Sequence, residues 1–266
     1  MTIRKNFAYL LTLIAFTFWN CNAVSKLNFF SVADDIQLGQ QVSQEIESNS
    51  AQYPILPERG NEQAYRYVRG LKDKIMKTGK VKYQNEFAWQ VKIIKDDKTL
   101  NAFCTPGGYI YVYTGLIKYL DSEDQLAGVM GHEIAHAALR HSTRQMTKLY
   151  GAQVLLSIAT GKANPGMISQ LALSLASLKF SRTHETEADN SSVAYLCPTS
   201  YNAAGAAGFF EKLQSGNDGG ARQPQFLSTH PDPGNRVTNI NAQAREMNCN
   251  GRSTNTSEYN RIKQLL

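Results

Sequence analysis

"GVMGHEIAHAALRH", Gly128–His141, is the stretch on which the reading of this chain turns. On an α-helix, residues four apart lie one above the other, so His132 and His136 project from one face. Glu133 sits beside that face, where it reaches a water on a metal without binding the ion itself. This is the H-E-x-x-H arrangement, in which two imidazoles hold zinc and the glutamate acts as general base. The pentapeptide is also short enough to arise by accident in an Ala-rich helix, with both histidines structural. The start signal of the helix is good: Asp121 or Ser122 can cap it, and Ser122 with Gln125 makes a capping-box pattern. Leu126, Val129, Met130, Ile134 and Ala138 leave it apolar or small on most sides, which predicts a central, buried helix.

A catalytic zinc needs a third protein ligand and an open position. The contiguous form H-E-x-x-H-x-x-G-x-x-H fails here, because Leu139 and Ser142 occupy the later positions. His141 comes one residue early, about a third of a turn off the ligand face. The other source is a glutamate on a separate helix, and "SRTHETEAD" (Ser181–Asp189) offers Glu185 and Glu187. Two residues on a helix are about 200° apart, so only one of them faces a metal. Asp189 lies four residues beyond Glu185 on the same face. There it can accept the second N–H of a zinc-bound histidine, which fixes the tautomer and raises the basicity of the ring. Glu185 as ligand with Asp189 behind it is the coherent pair, and Glu187 is left on the other side. The competing reading is a solvated acidic helix face.

Around these motifs the chain of 266 residues reads as one domain of α-rich α+β class. "ADDIQLGQQVSQEIESN" and "NEQAYRYVRGLKDKIMKTG" carry apolar residues at helical spacing (Ile36, Leu38, Val42, Ile46; Ala64, Val68, Leu71, Ile75). "FAWQVKIIKD" alternates as a strand, and "NAFCTPGGYIYVYTGL" (Asn101–Leu116) reads as a hairpin turning at Pro106-Gly107-Gly108. The tyrosines of "YIYVY" read as strand packing. "GAQVLLSIATG" and "MISQLALSLASLKF", broken by "GKANPG", read as packed helices and not as membrane spans. A net charge of +6 without a Lys/Arg block argues against nucleic acid as a partner.

At the N-terminus, Arg4 and Lys5 precede 13 apolar or hydroxyl residues, Phe7–Trp19. That is shorter than the roughly 20 needed to span a bilayer and fits the core of a signal peptide. Cys21 follows, like a bacterial lipoprotein cysteine, although Asn20 stands where a small residue is usual. The division expected is a targeting segment over 1–21 and a single zinc metallopeptidase domain over 22–266. Export permits disulfides. Cys197 and Cys249, both in loop contexts, are the natural pair, leaving Cys104 as the odd thiol.

The ordered series "NAFCTPGGYIYVYTGL", "GHEIAHAALRH", "SRTHETEAD" and "STHPDPGNR" (Ser228–Arg236) resembles the zinc metalloendopeptidase (gluzincin) family of the CAAX prenyl protease, HtpX, Oma-type proteases, BepA and LoiP. The resemblance spans roughly residues 30 to 245. It implies a zincin-like fold with a central H-E-x-x-H helix, a second ligand helix and a small antiparallel sheet or hairpin. It implies one Zn2+ per chain on His132, His136 and Glu185, with Glu133 as catalytic base and Asp189 as the supporting acid. His230 falls at the family's histidine near the metal, where it either plugs the ion or supports the oxyanion, and Arg236 completes that segment. Asn101, Ala102 and Phe103 fall on the strand along which an extended peptide adds. Cys104 departs from the family's small or apolar residue and reads as a buried, inert thiol. His184 reads as an exposed or supporting side chain, and Arg140 and His141 as anchors of the active-site helix.

By this resemblance the chain is a zinc metalloendopeptidase of the bacterial periplasm, tethered to a membrane (the outer one) through lipidated Cys21. Its substrates would be unfolded or misassembled envelope polypeptides. The absence of long apolar spans argues against prenyl-protein processing inside a bilayer, and the small lipoprotein LoiP is the closer analogue. The alternative is a chaperone-like or binding protein whose zinc is plugged by His230 and mainly structural. A non-peptidase zinc hydrolase is a third reading, which the peptide-binding hairpin disfavours.

Overall fold

The computed structural model describes residues 27–215, 225–231, 234–249 and 256–266. The expected targeting segment and Cys21 lie outside the described residues. The two amphipathic patterns near the start form α1 (Val32–Ser48) and α2 (Glu62–Met76). Ser31 caps α1, and Asp34 returns the bond to complete a capping box. Every expected apolar position of α2 is buried. Of the expected apolar positions on α1, Leu38, Val42 and Ile46 are buried, whereas Ile36 stays exposed because the helix packs on a narrower stripe.

Three short strands follow: β1 (Gln90–Ile94), β2 (Ala102–Thr105) and β3 (Tyr109–Tyr113). The sheet order is β1-β3-β2, with β2 antiparallel to β3 as the hairpin pattern requires. β1 runs parallel to β3, so the sheet is mixed. The β2–β3 turn passes through Gly107 and Gly108 at φ 75° and 84°, the left-handed region that glycine enters without a steric cost.

Period-two alternation splits the interior in two. Val91, Ile93, Ala102, Cys104, Ile110 and Val112 face one cluster, whereas Ile94, Phe103, Tyr111 and Tyr113 face another. On the first side lie α2, α4 (Glu123–Ala138), α8 (Arg182–Leu196) and α9 (Gly205–Gln214), together with α11 (Arg236–Glu246) and α12 (Thr256–Leu265). On the second lie α1, α6 (Ala152–Ala159) and α7 (Pro165–Ala176). Short α3 (Thr114–Tyr119), α5 (His141–Leu149) and α10 (Gln225–Thr229) fall between these longer elements. No described helix is long and apolar enough to cross a membrane. Cys197, after α8, and Cys249, after α11, form a disulfide, and Cys104 is a free, buried thiol.

α4 is the central helix, with every residue from Leu126 to Ala138 buried. Ser122 caps it by accepting from Gln125 N–H, while the Gln125 side chain accepts from Asp121 N–H and not from the cap residue itself. Its glycines permit the close neighbours. A Cβ on Gly128 would lie 2.1 Å from the backbone nitrogen of Ala206 in α9, and one on Gly131 2.6 Å from Ser192 Oγ in α8. Ser192 Oγ donates to the Gly128 carbonyl across the same contact. Gly128→Ala is therefore expected to destabilise the fold by about 3 kcal/mol, the upper range of overpacking penalties. Gly70→Ala in α2, where an added Cβ meets nothing within 4 Å, should instead stabilise by about 0.5–1 kcal/mol. Urea unfolding of the two variants against the parent checks both signs.

Candidate metal centre

Helical geometry on α4 sets the His132 and His136 Nε2 atoms 2.9 Å apart. α8 enters alongside, its first turn capped by Ser181, and brings Glu185 to them. Glu185 Oε2 lies 3.4 Å from His132 Nε2, and Oε1 lies 3.4 Å from His136 Nε2. His230, just past α10, points Nδ1 into the same space, 3.2 Å from Glu185 Oε1 and 3.3 Å from His132 Nε2. The four side chains are all buried, and their donor atoms lie within 4.8 Å of one another.

These spacings suit a metal ion. Ligands about 2.0–2.1 Å from a central zinc in a tetrahedron are separated by roughly 3.3–3.4 Å. A Glu185 oxygen lies 3.2–3.4 Å from each of the three imidazoles, Oε2 toward His132 and Oε1 toward His136 and His230, close to that edge, whereas the His132–His136 pair is closer at 2.9 Å. Both oxygens of Glu133 are buried with no hydrogen bond among the described residues; His230 Nε2 lies 3.5 Å away, and the buried Cys104 thiol is the other group set against the carboxylate. A buried carboxylate beside a two-His, one-Glu donor set is the arrangement a hydrolytic metal requires.

Behind the cluster, Asp189 Oδ1 lies 2.8 Å from His132 Nδ1, one helical turn beyond Glu185. Arg236, at the start of α11, forks onto Asp189 through Nε and Nη2, both at 2.7 Å, and places Nη2 3.0 Å from Glu185 Oε2. Its guanidinium also covers the Phe210 ring at 4.0 Å. The electrostatics follow from this packing. Burial and Arg236 both push the His132 imidazole down, but hydrogen bonds to Asp189 and Glu185 outweigh them and raise it to about 9. Burial and the neighbouring His132 charge drive His136 well below its usual range. Burial alone would raise Glu185, yet the surrounding histidines hold its carboxyl well below the ordinary value. Glu133 is pushed up, chiefly by burial.

Other expected residues fall elsewhere. Glu187 turns away from the cluster to His141 Nε2 and Arg144 Nη1, at 3.0 and 2.9 Å. His184 is buried and not exposed: it stacks on the His141 ring at 4.4 Å, because α8 packs its first turn against α5. Arg140 anchors the end of α4 on Asp35 and the Phe30 and Ser31 carbonyls. Ala102 and Phe103 do lie on edge strand β2, and both are buried, as is Asn101. Phe103 packs into the aromatic cluster of Tyr53, Tyr111 and Tyr113, and the Asn101 amide has no hydrogen-bond partner. Sequence reasoning missed the rings that line the centre. Phe180 covers His136 with centroids 4.0 Å apart, and Phe226 stacks on His230 at 4.2 Å. Both are single aromatics outside any motif, so no local signal marked them.

Arg236→Met would leave Asp189 and Glu185 buried without their cation. A loss of about 3–5 kcal/mol is expected from breaking such a pair, measured by urea unfolding of metal-free protein.

Residues 62–244 match the description of peptidase family M48. The chain is 34% identical over 160 residues to the mitochondrial metalloendopeptidase OMA1 of Arabidopsis thaliana, covering 60% of this chain and 32% of that one. It is 33% identical over 162 residues to the putative beta-barrel assembly-enhancing protease of Vibrio cholerae (56% and 34%). The beta-barrel assembly-enhancing protease of Escherichia coli is 33% identical over 168 residues (58% and 34%). The matched region thus spans about a third of the length of these curated relatives. With the two-histidine helix, the glutamate helix and a family match over most of its length, the chain belongs to peptidase family M48.

Proposed function

We propose that this protein is a zinc-dependent metalloendopeptidase that hydrolyses peptide bonds of unfolded or misassembled bacterial envelope proteins. The observation that carries the reading is the buried four-donor cluster, its atoms within 4.8 Å of one another, with the Glu133 carboxylate beside it. His132, His136 and Glu185 would hold the ion, with Asp189 orienting His132 and Arg236 holding Asp189. When bound, the metal supplies Lewis acidity to the scissile carbonyl and acidifies the attacking water. Glu133 takes the proton of that water and returns it to the leaving amine. Its upward shift on burial suits a base that must also act as an acid. An extended substrate would add along β2 at Asn101–Phe103. Strand and cluster are both buried, so substrate entry would require the elements packed on them to open.

A second reading rests on one observation. His230 Nδ1 lies among the other donors, making a fourth protein ligand available. In that state the ion would be closed to substrate, and the protein would behave as a binding or chaperone-like molecule. The sequence relatives support the protease: their names describe metalloendopeptidases and a beta-barrel assembly-enhancing protease. The location we propose is the bacterial envelope, with residues 1–21 as signal peptide, residues 22–266 as one metallopeptidase domain and lipidated Cys21 as tether to the outer membrane.

With zinc loaded, Glu133→Gln is expected to lower cleavage of unfolded outer-membrane proteins by about 10^2–10^4-fold at unchanged zinc content. Equal cleavage by both forms would reject the mechanism. His230→Ala should raise the rate if the ring closes the metal, and lower kcat if it supports the oxyanion. Silence of both wild type and His230→Ala would favour the binding reading. For the anchor, incorporation of radiolabelled fatty acid should disappear in Cys21→Ser, and its persistence would rule out lipidation at that thiol.

A further inference from the structure

Behind His136 runs a second line of polar side chains that the proposed mechanism does not use. α4 ends at Ala138, and Arg140 turns the chain at φ 58°. The left-handed turn swings His141 back under the helix it has just left. His141 Nδ1 comes to 3.0 Å from His136 Nδ1, and His141 Nε2 to 3.0 Å from Glu187 Oε2. Arg144, one turn further along α5, donates from Nη1 to the same carboxylate oxygen at 2.9 Å. The His141 side chain is fully buried, and the His184 ring lies flat on it, 10° from parallel.

We infer that His141 and Glu187 form a relay that positions His136, holding its Nε2 lone pair on the metal cluster, with Arg144 fixing Glu187. The inference rests on His136 being a metal ligand through Nε2, as proposed above. Given that, every proton in the line has one place. A neutral His136 that ligates through Nε2 carries its proton on Nδ1 and donates it to His141 Nδ1. His141, accepting there, carries its own proton on Nε2 and donates it to Glu187. The carboxylate accepts from both His141 and Arg144, which keeps it ionised. Reversal of any link would set two protons or two lone pairs face to face inside the core, where an unsatisfied polar group is costly. His132 receives its orienting acceptor directly from Asp189. His136 receives the equivalent support through one intervening imidazole. Phe180 covers the face of His136, so the ring is held by packing in one direction and by the relay in the other. Outer partners of this kind typically change metal affinity by about 10- to 100-fold.

The test measures zinc affinity by competition with a chromophoric chelator, together with urea unfolding of the metal-free forms. His141→Phe and Glu187→Ala are expected to weaken zinc binding by about 10- to 100-fold. Glu187→Gln, which keeps an acceptor for the His141 N–H, should recover much of the loss. Zinc affinity within about twofold of the parent (well under the range for outer partners) in both His141→Phe and Glu187→Ala would overturn the relay. Glu185→Ala separates the two levels. If it loses zinc while the relay variants keep it, only the relay falls. If it too binds like the parent, the ligand assignment fails and takes the relay with it. Should His141→Phe not fold, zinc-loaded wild type decides through long-range 1H–15N spectra. Protons on His136 Nδ1 and His141 Nε2 are expected, and a proton on His141 Nδ1 would overturn the proposal.

Discussion

α4 is buried all the way round, so every polar group on it must be answered by another element. Its own backbone is satisfied by the helix, but His132, Glu133 and His136 are not. The rest of the first core can be understood as the set of partners they need. α8 brings Glu185 and Asp189, α11 brings Arg236, α5 brings His141, and the residue after α10 is His230. Glu133 keeps both oxygens without a hydrogen bond among the described residues, with the Cys104 thiol and His230 set against it. A carboxylate held in the most buried part of the molecule is tolerated where its function is to meet something not always there.

Close approach of these elements depends on small residues. Gly128 and Gly131 let α9 and α8 reach the α4 backbone, and Ser192 turns one such contact into a hydrogen bond. The sheet contributes from the other side by alternation, sending Cys104 toward α4 and Phe103 away from it. The centre is thus held between a rigid hairpin and two helices at backbone contact, which keeps donor atoms at spacings near those a metal demands.

Much of this was legible along the chain. H-E-x-x-H names its own geometry, because four residues on a helix set two rings on one face. Glu185, and not Glu187, could be chosen by rotation, with Asp189 four residues on. The hairpin was marked by Pro-Gly-Gly between β-prone runs. The places that escaped share a physical cause. Ile36 was expected inside, but which stripe of α1 packs depends on its neighbours. His184 was read as exposed or supporting and β2 as the strand along which a peptide adds, and both are buried. His141 was read as lying off the ligand face and anchoring the helix; what the sequence did not show is that Arg140 breaks the helix and turns the ring onto His136. A positive φ at arginine has no signature in composition or period.

By itself, then, the sequence determined the local chemistry: a metal-binding spacing on one helix, an acid pair on another, and the turns and strands between. These follow from helical and pleated periodicity, which act over a few residues. Tertiary structure decided which histidine faces which carboxylate across separations of 45 residues or more, whether the centre is open, and where His230 and Glu187 point. Those outcomes depend on packing of distant elements inside a dry core, where the cost of an unpaired polar group selects one arrangement among the many that the local patterns allow.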